Sequence, residues 1–326
     1  MARGAGPRLP TDRAALVRPK AIATCDLDAL IVSGEAPSPP PFPLGHECVA
    51  EVVELGDAVS SLVPGQLVSV PFQISCGECA ACRRGHTGNC SSVPFMSTYG
   101  FGPAVERWGG FLSDLVCVPY ADHMLVPVPD GHQPAAVASA SDNISDAWRA
   151  VAPALAEDPG AAVLVLGGAG PGSIGLFAAA VAIALGAESV LYLDADHARR
   201  QTAAALGART LAEVPERIGP FPITVDASGD PNGLQLALNA TAPDGICTST
   251  AIYFAEQPVL PLLRMYAQCV TFKTGRAHAW PAIPQVLALV VAGALHPEAA
   301  TTRTVPFDQA AQALLEPGWT KLVFER

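Results

Sequence analysis

Apolar residues follow two regimes along this chain. Up to about residue 145 they come in short runs, or alternate with polar residues, between turns rich in Pro and Gly. Residues 14–24, 48–54 and 66–70 predict strands on that pattern. The stretch 36–43 holds five prolines, which predicts an extended surface connection and not a helix. From about 146 to 275 the order becomes strand, glycine loop, helix, strand. Residues 162–166 read as a buried strand, 176–185 as a helix and 189–193 as the next strand. A second helix over 197–206 stops at Gly207, and further strands are predicted at 223–227, 245–251 and 270–273. The last fifty residues supply a helix, 283–292, and a closing strand, 321–324.

Strands alternating with helices imply a parallel, doubly wound sheet. The fold class is therefore α/β, with a β-rich region formed by 1–145 and 276–326 and a nucleotide-binding region formed by 146–275. No internal repeat or low-complexity tract is present.

Composition narrows the function. Half of the 326 residues are apolar and 15% are charged, so the chain can bury two cores. The formal charge of −11 argues against a nucleic-acid partner, because phosphate binding needs clustered Lys and Arg. The apolar run 174–187 is too short to span a bilayer, which needs ~20 residues, and no signal peptide is evident. Nine cysteines in a chain of this size point to a cytoplasmic location and to metal rather than disulfides.

Cys76, Cys79, Cys82 and Cys90 are spaced C-x2-C-x2-C-x7-C, which suits four thiolates closing a tetrahedral zinc shell. An iron–sulfur cluster fits the x7 interval poorly. Upstream stand Cys25 and the tripeptide Gly45-His46-Glu47, which suggest a second, open site. Cys48, Cys117, Cys247 and Cys269 have no ligand spacing and read as small buried apolar residues.

Within 167–175, Gly170, Gly172 and Gly175 satisfy G-x-G-x-x-G between a strand and an apolar helix. The glycines permit a tight turn and close backbone approach to a pyrophosphate on the helix N-terminus. The phosphate cradle is then Gly168, Gly170, Gly172, Ser173, Ile174 and Gly175. Asp194, nineteen residues on, suits the ribose hydroxyls and favours NAD, while Arg199 and Arg200 keep NADP open. The alternative is an ordinary strand-to-helix turn with a surface aspartate.

In this order, these motifs resemble the zinc-containing medium-chain alcohol dehydrogenases over nearly the whole chain. The resemblance implies a GroES-like catalytic domain with two zinc ions and a Rossmann domain binding NAD. It places the reactive zinc on Cys25, His46 and Asp142, the last also readable as a helix N-cap. It makes Glu47 a carboxylate able to reach the metal, Asp28 the group that orients His46, and Lys321 a contact to the cofactor pyrophosphate. It puts Phe72 and Phe95 in the substrate pocket, where the alternative for each is a core phenylalanine. It implies hydride transfer between NAD(H) and a small-molecule alcohol or carbonyl, in a homodimer or homotetramer.

Two departures stand out. The family's usual proton relay would need Ser or Thr at position 27 and His at position 30, where this chain has Leu27 and Leu30. That loss raises the alternative of a reductase acting on a conjugated C=C or C=N bond. A non-catalytic zinc and nucleotide-binding protein is a third reading. Only 24 residues precede Cys25, fewer than the family usually carries.

Overall fold

The computed structural model describes residues 9–36, 41–168, 170–254 and 257–326. Pro37 to Pro40 of the proline-rich stretch, Ala169 of the glycine loop and the first eight residues lie outside the described residues. The chain divides into two compact units. One is Met1–Ser145 with Ala277–Val291 and Thr301–Arg326; the other is Asp146–Arg276 with Ala292–Ala300.

The first unit opens with β1 (Ala15–Ala23), β2 (Glu47–Leu55), β3 (Leu67–Val70), β4 (Val116–Val118) and β5 (Val126–Pro127). The second unit holds β6 (Val163–Leu166), β7 (Val190–Leu193), β8 (Arg209–Leu211), β9 (Phe221–Asp226), β10 (Thr241–Ser249) and β11 (Thr271–Lys273). The chain returns to the first unit with β12 (Arg303–Pro306) and β13 (Leu322–Glu325).

In the first unit the sheet order is β12-β13-β1-β2-β3-β5, with β4 also paired to β1. The β1–β2 pair is antiparallel and shifts register between Pro19 and Ala21. Proline has no N–H for the ladder, so a bulge is where a strand tolerates it. Val17, Ile22, Val52, Val68, Phe111 and Phe324 belong to the core cluster of this unit. Each such side chain contributes roughly 1.5–3 kcal/mol by leaving water. The last strand is not peripheral: β13 lies between β12 and β1.

In the second unit every strand pair is parallel and the order is β11-β10-β9-β6-β7-β8. The chain winds one way from β6 to β8 and the other way from β9 to β11. The crevice between β6 and β9 is therefore the switch point, where doubly wound sheets bind ligands. The helix Ser173–Ala184 follows β6 and is apolar on nearly all faces, with 176–182 buried. β10 begins earlier than periodicity suggests, because Thr241 pairs with Phe221 before a bulge. Asp244 takes a left-handed φ of 59° within that bulge, which breaks the alternating pattern. Among the described residues, no helix is long and apolar enough to cross a membrane.

Candidate functional site

Cys25 lies two residues past β1 and immediately precedes the helix Asp26–Ser33. Its backbone N–H donates to Asp28 Oδ2 at 2.8 Å, which fixes the turn into the helix. Thr24, beside it, is held on both sides by the C-terminal strand: Thr24 N–H donates to Leu322 O at 2.9 Å, and Leu322 N–H to Thr24 Oγ1 at 3.0 Å. His46 immediately precedes β2. Asp142 lies between the short turn Ala138–Ser141 and the helix Asn143–Glu157.

One donor atom from each of Cys25, His46 and Asp142 lies within 4.8 Å of the others, and all three residues are buried. His46 Nε2 stands 3.4 Å from Asp142 Oδ2, and Nδ1 stands 3.5 Å from Asp28 Oδ1. Both ring nitrogens are buried without a hydrogen-bond partner among the described residues. A cation held by the triad would satisfy Nε2 and leave Asp28 to orient the ring through Nδ1. Thiolate, imidazole and carboxylate form an ordinary zinc donor set with a free fourth position.

The electrostatics point the same way. Burial pulls the His46 imidazole down, but Asp28, Asp142 and Glu47 outweigh it and hold its pKa at about 9. Burial pushes the Cys25 thiol well up, and Asp142 and Glu47 add to that. Three buried carboxylates, Asp28, Glu47 and Asp142, thus surround His46, and Glu47 among them is engaged by Lys321.

Glu47 is the first residue of β2 and fully buried. Burial raises its pKa to about 8 against the pull of Lys321. Lys321 Nζ donates to Glu47 Oε1 at 2.9 Å, with both side chains inaccessible. Glu47 Oε2 has no hydrogen-bond partner among the described residues. Lys321, expected at a cofactor phosphate by resemblance, thus stands on the carboxylate of Glu47, next to His46.

Phe72 and Phe101 flank His46. Their ring centroids lie 6.2 Å and 4.8 Å from the imidazole, both edge-on, and the two phenyl rings stack at 5.8 Å. Phe95 is 74% exposed. Phe101 was not singled out by sequence; its only signal is an aromatic residue between two glycines, Gly100 and Gly102.

The donor atoms of Cys76, Cys79, Cys82 and Cys90 likewise converge within 4.8 Å. Backbone N–H groups of Glu78 and Cys79 donate to Cys76 Sγ, and that of Cys82 to Cys79 Sγ. These bonds favour thiolate over thiol: the amide of Cys82, foremost, brings Cys79 down to about 5. Gly77 and Gly85 take φ of 79° each, which allows the tight turns of the knuckle.

In the second unit, Gly170 and Gly172 both adopt φ of 71° before the helix beginning at Ser173. A Cβ on Gly168 would lie 2.1 Å from Ser228 O, so only glycine lets the loop approach the segment that follows β9. Asp194 is buried at the end of β7. Its Oδ2 accepts from Tyr192 Oη and Arg199 Nε at 2.7 Å each, and its Oδ1 from Asp196 N at 2.8 Å and Arg199 Nη2 at 2.9 Å. Arg199 also donates to the carbonyls of Gly168 and Gly170 at 2.6 and 2.8 Å, tying the carboxylate to the loop. Leu27 and Leu30 are half-buried on the helix after Cys25 and offer no proton-carrying group.

Comparison with known proteins bears on these sites. Residues 11–130 match the family model described as "Alcohol dehydrogenase GroES-like domain". The chain is 30% identical over 314 residues to "Probable zinc-binding alcohol dehydrogenase Rv1895" of Mycobacterium tuberculosis, covering 94% of this chain and 79% of that protein. It is 34% identical over 201 residues to a glutathione-independent formaldehyde dehydrogenase of Pseudomonas aeruginosa, covering 58% of this chain and 49% of that enzyme. Among solved structures, alcohol dehydrogenase TADH from Thermus sp. ATN1 superposes with a TM-score of 0.89 at 29% identity, covering 99% of this chain and 95% of that one.

Proposed function

The chain belongs to the zinc-binding alcohol dehydrogenase family of medium-chain oxidoreductases, and from that premise we propose that it transfers hydride between NAD(H) and an alcohol or carbonyl substrate. The observation that carries this reading is the convergence of Cys25, His46 and Asp142 on one buried point beside two phenyl rings.

Cys25, His46 and Asp142 hold the reactive zinc in this proposal. Zinc bound there would supply Lewis acidity toward a substrate oxygen, the chemistry that hydride transfer at the adjoining carbon calls for. Asp28 keeps the His46 ring oriented. Glu47, steadied by Lys321 on one oxygen, presents the other as an acceptor close to the donors. With Leu27 and Leu30 in place of a hydroxyl and an imidazole, the proton leaves through water, Asp28 or Glu47. Cys76, Cys79, Cys82 and Cys90 hold a second zinc that braces the fold.

Gly168, Gly170, Gly172, Ser173, Ile174 and Gly175 cradle the dinucleotide phosphates at the switch point of the parallel sheet. Asp194 addresses the adenosine ribose and favours NAD over NADP. Lys321 stabilises the catalytic carboxylate in preference to the pyrophosphate. Titrating the protein with NADH and NADPH, followed by nicotinamide fluorescence, decides the preference: tighter NADPH binding would refute the Asp194 assignment.

The central test is Cys25→Ser with metal analysis. The wild type should carry two zinc ions and the variant one, with unchanged circular dichroism. Turnover of an alcohol panel should fall by at least about a thousandfold, since the metal is worth several kcal/mol of barrier. Full activity in a variant shown to have lost the metal would refute the mechanism.

A further inference from the structure

We propose that Asp226 is a positioning residue for the dinucleotide: through Ser228 it fixes the wall against which the glycine loop is seated. This rests on the reading of the glycine loop as the phosphate cradle.

Asp226 closes β9 and is fully buried. A carboxylate taken out of water is costly unless its lone pairs find donors. Oδ1 accepts from Ser228 N–H at 3.1 Å and from Ser228 Oγ at 2.6 Å. Oδ2 accepts from Ser249 Oγ at 2.6 Å and from Tyr253 Oη at 2.7 Å. These bonds take up about as many donors as a carboxylate can accept. Burial, and Asp226 beside it, push the Tyr253 phenol well up, so that hydroxyl stays a donor. No step of the proposed hydride transfer uses this carboxylate. Yet it stands at the carboxyl end of β9, one of the two strands that bound the switch point.

The two oxygens serve different segments. Oδ2 holds the end of β10 and the residues after it, where Thr250 N–H also donates to Asp226 O at 2.9 Å. Oδ1 holds Ser228, and that arm leads to the cofactor loop. Ala227 N–H donates to Leu166 O at 2.9 Å, which ties the segment after β9 to the last residue of β6. Ser228 then meets Gly168 so closely that a Cβ on that glycine would lie 2.3 Å from Ser228 Cα. Gly233, in the helix Pro231–Ala240, makes room for the hydroxyl, since a Cβ there would stand 2.2 Å from Ser228 Oγ. Ser228 therefore touches Gly168 through its backbone and Gly233 through its hydroxyl, while its amide and hydroxyl both donate to Asp226. Losing that acceptor frees Ser228 to shift, and a shift there moves the seat of Gly168. A cradle that must be re-formed at each binding event loses affinity, the reverse of preorganisation.

The test is NADH titration by nicotinamide fluorescence, with urea unfolding alongside, on the zinc-loaded full chain. Ser228→Ala and Ser249→Ala each delete one 2.6 Å hydroxyl bond to the same carboxylate and leave the other bond on that oxygen in place. Both should therefore lose similar stability. Only Ser228→Ala lies on the arm to the loop. Its Kd for NADH should rise about 10-fold, the scale of one buried hydrogen bond, whereas that of Ser249→Ala should change by less than about 2-fold. Asp226→Asn should weaken NADH at least as much as Ser228→Ala; where it fails to fold, the serine pair decides alone. In steady-state kinetics on an alcohol that the wild type turns over, the loss in Ser228→Ala should fall on KM for NAD rather than on kcat. Equal weakening by both serine variants, weakening by neither, or a loss confined to kcat overturns the positioning role and leaves the dinucleotide reading intact. A wild type that binds neither NADH nor NADPH removes both.

Discussion

Lys321 and Glu47 form an ion pair with no accessible surface on either side chain. Removing one partner of such a pair leaves an uncompensated charge in a medium that solvates it poorly, at a cost of roughly 3–5 kcal/mol. Lys321→Met is accordingly expected to lower stability by that amount in urea unfolding. Glu47→Gln combined with Lys321→Met should recover most of it, because a neutral amide tolerates the site. If the double variant were as unstable as the single one, the charge argument would fail and packing would be the cause. The same pair marks a limit of sequence reading. Lys321 was singled out by resemblance as a contact to the cofactor pyrophosphate, but its partner lies 274 residues away, and the registers of β13 and β2 on β1 bring the two together.

At the scale of elements, the four-cysteine knuckle was the most legible part of the chain. Its ligands sit within fifteen residues and their spacing alone dictates convergence. The triad was legible through Gly45-His46-Glu47 and the resemblance it carries, with Asp142 supplied by the resemblance. The place of Phe101 beside His46 was not legible, because it depends on close backbone contacts of Gly100 with Gly45 and of Gly110 with Leu44, and glycine contacts leave no periodic trace. The knuckle also carries its own prediction. Cys79→Ser should remove one zinc per chain and lower the thermal midpoint by several degrees, since structural zinc contributes folding energy directly. Residual activity per reactive zinc should persist at low temperature. Loss of both ions together would mean that the two sites are not independent.

At the scale of the molecule, the parallel sheet ends at β11, and near that edge the surface is apolar. Val259, Leu262, Leu263 and Tyr266 are all exposed, Leu263 at 83%. Scattered apolar residues are ordinary on a surface, but a cluster beside an open strand edge invites pairing with another copy. The chain is expected to be a homodimer or homotetramer through this face. Leu263→Asp should shift the mass seen by light scattering toward the monomer without changing the far-ultraviolet spectrum. An unchanged mass would place the subunit contact elsewhere.

The internal position of β13 has a consequence for the order of events at the ribosome. Thr24 receives its partner Leu322 298 residues later in the sequence. At about 5–20 residues per second, that is roughly 15–60 s of synthesis. Cys76 to Cys90 can capture zinc while the chain is still nascent, since all four thiols emerge together. The open site waits: Cys25 lacks its support from β13, and Glu47 lacks Lys321, until residues 321 and 322 have been made. On the two-zinc proposal, the bracing ion is therefore expected to bind before the reactive one.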